Sequence, residues 1–403
     1  MIEKSFSLFG RELFRVERNR LGEFSYSFFN GEDFNNSTKY LEMSLNNPVL
    51  MTIIALRSKI YSQMRITHLD ASGKEVKNSP YIKLLNQPNY FQSGQDFLFQ
   101  QMWFLSATGN DLIYQKKAFA NELPKAIYNL VPSEIDFNEV HKLNKFLVTQ
   151  KDIKAYSEKE IKYTLDNKTY TIPLLDLIPL YDLSNGLTNN SFMRSESRVK
   201  GVNKVLQNID QNLKAKHTNL QMSQKYLAKN GGDGNEAQIQ EADRNSIERS
   251  IGKNSLIITD RANVDVKHLV SDMKRLYLDE QFADDANKVL LAFELNKNVL
   301  NYFAKDSTFE NQNQGVVSWV QGSIQTSADN FVNSLSSQWG LLDKNEKLVA
   351  SYDHLPVMQS VVNDKIKSFT EMQNAIKIGL ENGTLTTAEA KKMSDEFRLK
   401  LKL

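Results

Sequence analysis

The chain has 403 residues, of which 40% are hydrophobic and 24% charged, with a formal net charge of +2 and no cysteine. That length supports two or three domains with a sizeable core. The composition excludes disulfides, thiolate metal sites and a cysteine nucleophile, and the near-neutral balance argues against a chain that coats nucleic acid by bulk charge, although a locally charged groove stays open.

In chain order, Phe6, Leu8, Phe9, Leu13 and Phe14 are interrupted by Arg11 and Glu12. This pattern predicts a short amphipathic helix docked on the body or on a neighbouring subunit, not a secretory leader. Residues 15–40, rich in Asn, Gly, Ser and Phe, read as an irregular arm. Asn47-Pro48 opens a helix whose stripe is Val49, Ile53, Leu56 and Ile60. Met64 to Val76 alternates around Ser72-Gly73 and predicts a hairpin. Ser93 caps a helix bearing Phe97, Leu98, Met102 and Leu105, which stops at Thr108-Gly109-Asn110. Strands are expected at Asp111–Gln115, Ala126–Val131, Lys145–Thr149, Ile161–Leu165 and Lys168–Ile172, with a tight turn at Asp166-Asn167. The first half is therefore α+β.

From Glu196 to Ala228 there is no proline, and Val199, Val202, Leu206, Ile209, Leu213 and Leu220 keep helical spacing. A helix of that length would be a rod of roughly 50 Å. It ends at Asn230-Gly231-Gly232-Asp233-Gly234. A small insert follows, with a polar helix over Gln238–Ile251 and a strand pair over Ser255–Thr259 and Asn263–His268. Leu278–Phe293 reads as a helix. Periodicity then fails over Asn298–Gly315, an Asn/Gln-rich stretch carrying Tyr302 and Phe303, longer than most helix connections. Val317, Val320, Ile324, Ala328, Phe331, Leu335 and Trp339 mark a long helix. A strand over Lys347–Tyr352 and helices over Met358–Leu380 and Thr387–Leu401 close the chain, with Gly383 placed as a helix C-cap.

No run of about 18 apolar residues occurs, so no membrane span is expected. The histidines His68, His141, His217, His268 and His354 are isolated along the chain, and none forms an HExxH pair. No phosphate-binding GxxxxGK[ST], GxGxxG or GxSxG motif is present. Asp279-Glu280 and Asp284-Asp285 are neighbours that point apart on a helix, and Asp364 stands alone. No metal, cofactor or catalytic residue is expected. On the long helix Lys200, Lys204, Lys214, Lys216, Lys225 and Lys229 outnumber Glu196 and Asp210. Such a helix can track a phosphate backbone or simply present solvated lysines.

The order of motifs resembles the HK97-type portal proteins of tailed bacteriophages over roughly residues 45–395. Asn47-Pro48-Val49 stands at the opening helix and Ser72-Gly73-Lys74 at the family's hairpin. Leu84-Leu85-Asn86-Gln87-Pro88-Asn89, Thr108-Gly109-Asn110-Asp111-Leu112-Ile113-Tyr114, Leu130-Val131-Pro132-Ser133 and Gly383-Thr384-Leu385-Thr386-Thr387-Ala388-Glu389-Ala390 follow in the family's order. Two places depart from the pattern. Asn296-Lys297-Asn298 stands where a proline pair is usual, and Asn185-Gly186-Leu187 matches its motif only loosely.

The resemblance implies an α+β portal fold. It gives an N-terminal arm at 1–39, a wing at 40–193 and 315–357, stem helices at 194–229 and 272–297, an α/β clip at 230–271, a tunnel loop at 298–314 and a helical crown at 358–403. It also implies a structural protein, not an enzyme. A ring, usually of twelve copies, would sit at one capsid vertex of the virion after assembly in the host cytoplasm. Double-stranded DNA would pass through its channel during packaging and ejection. The partners implied are the large terminase, the major capsid protein and the head–tail connector or adaptor, with no membrane. Asn301, Tyr302, Phe303, Lys305, Asn311, Gln312 and Asn313 are then the tunnel-loop candidates for DNA contact, and Lys200, Lys204, Lys214 and Lys216 the channel-facing candidates on the stem. The competing readings are another phage connector or capsid structural protein, and a nucleic-acid-processing enzyme such as a terminase subunit.

Overall fold

The computed structural model describes residues 2–8, 11–18, 24–28, 34–118, 122–136, 159–183, 195–222, 226–230, 264–268, 278–295, 299 and 309–401. The chain divides into two compact units, one formed by residues 1–200 and 293–403, the other by residues 201–292.

The first unit opens with an antiparallel sheet of β1 (Ile2–Leu8), β2 (Arg11–Arg18) and β3 (Phe24–Phe28). This corrects the helix expected there. Ile2, Lys4, Phe6 and Leu8 recur at period two, the spacing of a strand, and Gly10 falls between β1 and β2. Helix α1 (Phe34–Asn46) replaces part of the expected arm. Its inward positions include Ser44, fully buried and bonded to the Trp103 indole at 3.1 Å, so the apolar stripe that signals a helix is incomplete. Helix α2 (Pro48–Tyr61) starts where Asn47 accepts the Leu50 amide at 3.1 Å, and Leu50, Ile53 and Ile54 fill the core.

β4 (Arg65–Leu69) is followed by an Asp70 turn, in which one carboxylate oxygen accepts the Ser72 and Lys74 amides. The expected hairpin is only a single bridge, Leu69 to Glu75. The main partner of β4 is β13 (Lys347–Ser351), far along the chain. Helices α3 (Pro80–Asn86) and α4 (Gly94–Thr108) follow, the second capped by Ser93 as its sequence predicts.

β5 (Asn110–Lys116) is the centre of a sheet, between β6 (Ala126–Leu130) and β10 (Leu177–Tyr181). β7 (Ile135–Asp136), β8 (Glu160–Leu165) and β9 (Lys168–Pro173) make a second antiparallel sheet, with Asp166 and Asn167 in left-handed turn conformation. Leu112, Leu130, Ile161, Tyr163, Ile172 and Leu177 pack together as one core cluster drawn from the two sheets. Asp111, Ile113 and Gln115 alternate with Leu112 and Tyr114, and so lie on the opposite face of β5.

Helix α5 (Arg198–Met222) ends six residues before Ala228, because the chain over Tyr226–Asn230 is strand β11. β11 pairs with β12 (Val264–His268) in the second unit, and the expected partner Ser255–Thr259 lies outside the described residues, as do Lys145–Thr149 and Gln238–Ile251. Helix α6 (Leu278–Ala292) ends the second unit.

Back in the first unit, α7 (Phe309–Trp319) runs through a π-helical turn (Val320–Ile324) into α8 (Gln325–Gln338). The extra residue of the π turn explains the packing. Gly315 and Trp319 are buried before it and Ile324, Ala328, Phe331 and Leu335 after it, a set displaced by about one position. Helices α9 (Gln359–Glu381) and α10 (Thr387–Leu401) form a closing hairpin. Gly379 lies so close to Leu385 that a Cβ would stand 2.6 Å from its Cδ1.

Candidate functional site

The tunnel-loop candidates Asn301, Tyr302, Phe303 and Lys305 lie outside the described residues. Asn311, Gln312 and Asn313 do not sit in a loop. They belong to α7, which begins at Phe309, several residues before the sequence periodicity becomes apolar. Asn313 is half-buried. Of the stem lysines, Lys200 pairs with Glu196 at 2.8 Å, while Lys204 and Lys214 are exposed. Lys216 is set apart from them, its ammonium 5.3 Å from the centroid of the Phe282 ring. The acidic neighbours Asp284 and Asp285 are both taken by Lys288, at 2.7 and 3.0 Å. Among the described residues no group of three or more His, Asp or Glu side chains could hold a metal ion.

What sequence reasoning missed is a charged joint in the first unit, where the chain departs into α5 and comes back from α6. Its base is the Thr108-Gly109-Asn110 corner. The Asn110 side chain donates to the Ser195 carbonyl at 2.8 Å and accepts the Ser195 amide at 2.6 Å. The Ser197 hydroxyl donates to the Ala107 carbonyl at 2.7 Å and accepts the Val199 amide at 3.0 Å. Gly109 has φ +79°, and a Cβ there would fall 2.5 Å from the Glu196 carbonyl oxygen. So the corner must carry glycine to let the Glu196-Ser197 segment that leads into α5 approach its backbone.

On this base stands a chain of charges. Arg57, projecting from α2 and almost fully buried, donates to the Ser106 hydroxyl at 3.2 Å, to Asp182 Oδ1 at 2.8 Å and to Ser327 of α8 at 3.4 Å. Asp182 follows β10, and its amide donates to the Gly109 carbonyl at 3.0 Å. The other oxygen of Asp182 accepts from Arg198 Nε, and Arg198 Nη1 donates to Glu294 Oε1 at 2.8 Å. Burial alone would raise the Asp182 pKa, but Arg57 and then Arg198 outweigh it and hold the carboxyl below its usual range. Glu294 is likewise lowered, burial being overcome mainly by Arg198.

The two ends of the chain of charges differ in strength. Arg57 and Asp182 are each 1% exposed, and breaking such a buried pair costs about 3–5 kcal/mol. Glu294 is 52% exposed, so its pair with Arg198 is worth ~1 kcal/mol or less. Glu294 also has φ +58°, a left-handed conformation that costs a residue with a Cβ about 1–2 kcal/mol. It occupies the place after α6 where glycine usually ends a helix. Phe293 and Leu295 on either side are buried, and the Trp319 indole donates to the Phe293 carbonyl at 3.2 Å.

A body of helices and four small antiparallel sheets, interrupted by a separate unit that one helix enters and another leaves, defines a structural class built around an insertion, with no assembled catalytic group among the described residues. The family model described as Phage portal protein matches residues 48–395, and the chain belongs to that family, whose members are structural proteins and not enzymes.

Solved structures agree on the fold. A chain from the neck of an empty gene-transfer-agent particle, computed with C6 symmetry, is 13% identical with a TM-score of 0.64, covering 91% of this chain and 94% of that one. A chain from the neck of the native particle, computed with C12 symmetry, is 12% identical with a TM-score of 0.62, covering 91% and 93%. An HK97 family phage portal protein from Corynebacterium diphtheriae is 11% identical with a TM-score of 0.52, covering 81% and 100%. By sequence, no curated protein matches the chain.

Proposed function

We propose that the chain assembles into a ring, usually of twelve copies, that forms the DNA channel in the connector of a phage-like virion. The observation that carries this is the family match across residues 48–395, supported by the fold shared with particle necks solved under six- and twelve-fold symmetry. In this reading the first unit supplies wing and crown, and the second supplies most of the stem, α5 and α6, with the clip around β11 and β12. The large terminase, the major capsid protein and a head–tail adaptor are its partners, and double-stranded DNA its cargo.

The role of the ring is mechanical. A polyanion gripped by many lysines would not slide, because each phosphate contact adds to affinity. The short segment 298–308, with α7 behind it, is the proposed tunnel element, and Asn301, Tyr302, Phe303 and Lys305 are its DNA-facing candidates. Exposed Lys204 and Lys214 are the stem candidates, whereas Lys216 is engaged with Phe282. Deleting residues 300–312 should leave rings visible in electron micrographs but reduce packaged or retained DNA in assembled particles. Unchanged DNA content with intact rings would remove this segment from the mechanism.

A further inference from the structure

We propose that Glu294 is a two-position hinge, held in its bent setting by Arg198, that decides how the chain leaves α6. In the bent setting Glu294 is left-handed, with φ +58°, and its carboxylate is bonded to Arg198 at 2.8 Å. In the other setting Glu294 turns to ordinary helical dihedrals and α6 gains a further residue.

Three observations support a hinge over a fixed corner. The strain at Glu294 and the half-exposed ion pair that offsets it are of the same order, so neither overwhelms the other. The deeper pair, Arg57 with Asp182, is buried on both sides and stays closed, which keeps Arg198 in place as a fixed post. Ser323, which together with Arg198 holds the Glu294 carboxyl below its usual range, lies inside a π-helical turn, an irregularity that can absorb a shift of one residue along its helix. Burial of Phe293 and Leu295 and the Trp319 bond to the Phe293 carbonyl bias the hinge toward the bent setting without locking it.

The proposal makes two substitutions of the same residue behave differently. Glu294→Ala removes the ion pair but keeps the left-handed strain, so the hinge opens more often. Glu294→Gly removes both, since glycine adopts the left-handed region freely, and the bent setting survives. Amide hydrogen exchange on the purified full-length protein, read on peptides covering 288–299 and corrected for intrinsic rates, measures the opening. We expect exchange about 5-fold faster in Glu294→Ala and within about 2-fold of the parent in Glu294→Gly. If both variants exchange alike, whether faster or unchanged, or if the glycine variant is the faster one, Glu294 is an ordinary surface pairing residue and the hinge does not exist.

Discussion

At the scale of single residues, two buried aspartates in one unit respond to pH in opposite senses. Asp182 has its folded pKa lowered by Arg57 and Arg198. Its contribution is therefore present above the unfolded carboxyl pKa of about 3.9, and is lost as pH falls through the lower folded value. Asp111 is fully buried beside Gln101 and Tyr61, and burial pushes its pKa well above the usual value, with Gln101 and the Leu112 amide opposing only in part. Its contribution is complete below about pH 3.9 and declines as pH rises toward the folded value. So Asp111→Asn should stabilise the protein relative to the parent, and more at pH 8 than at pH 5, as read from thermal midpoints. Asp182→Asn should destabilise at both pH values by about 3–5 kcal/mol, since it leaves Arg57 buried without its counter-charge. A loss from Asp111→Asn that does not shrink with rising pH would show that Asp111 is held as a carboxylate. Nothing in the sequence separates these two aspartates. Their difference comes from residues up to 125 positions away, as in the Arg57–Asp182 bond.

Among the elements, the Thr108-Gly109-Asn110 corner carries the clearest prediction. Gly73 and Gly109 share a φ of +79°, but a Cβ meets nothing within 4 Å at Gly73 and the Glu196 backbone at Gly109. Gly109→Ala should therefore cost distinctly more than Gly73→Ala, the latter about 1 kcal/mol from conformation alone. Denaturant melts of the two variants give the comparison, and equal losses would mean that the α5 approach at Gly109 is loose. This corner is visible in the sequence as a helix stop and as a match to the portal family's motif, but its role in docking Ser195 and Ser197 depends on contacts some 85–90 residues apart. Elsewhere legibility follows local signal. α4 is readable because Ser93 and Gly109 mark both its ends, and the β8–β9 hairpin because Asp166-Asn167 names its turn. Scattered phenylalanines disguise β1 and the start of β2 as a helix, and β3 is lost in what reads as an irregular arm. α1 is hidden because a serine stands where an apolar residue would advertise the core, and α5 reads too long because polar, lysine-rich sequence carries no mark of the change to strand β11. Asn and Gln conceal the early start of α7, since they give no periodic stripe. The joint of Arg57, Asp182, Arg198 and Glu294 leaves no sequence signal, since its four members come from separate regions of the chain.

For the whole molecule, the insertion of residues 201–292 between two segments of one body is the organising fact. In the sequence the glycine-rich breaker at Asn230–Gly234 marks only its inner part, the small insert between α5 and α6, and the family match covers both sides of it. The isolated chain also exposes Tyr90 and Phe91, at 87% and 85%, on a loop fixed by Asn89, along with Leu45, Leu291 and Ile366. Apolar surface of this kind is what neighbouring copies in the proposed ring would cover. Whether the purified full-length protein forms the ring is read by negative-stain electron microscopy. Rings with a central hole are expected, with twelve-fold averages the main class. A field of uniformly monomeric particles, at concentrations where the protein is folded, would contradict the ring.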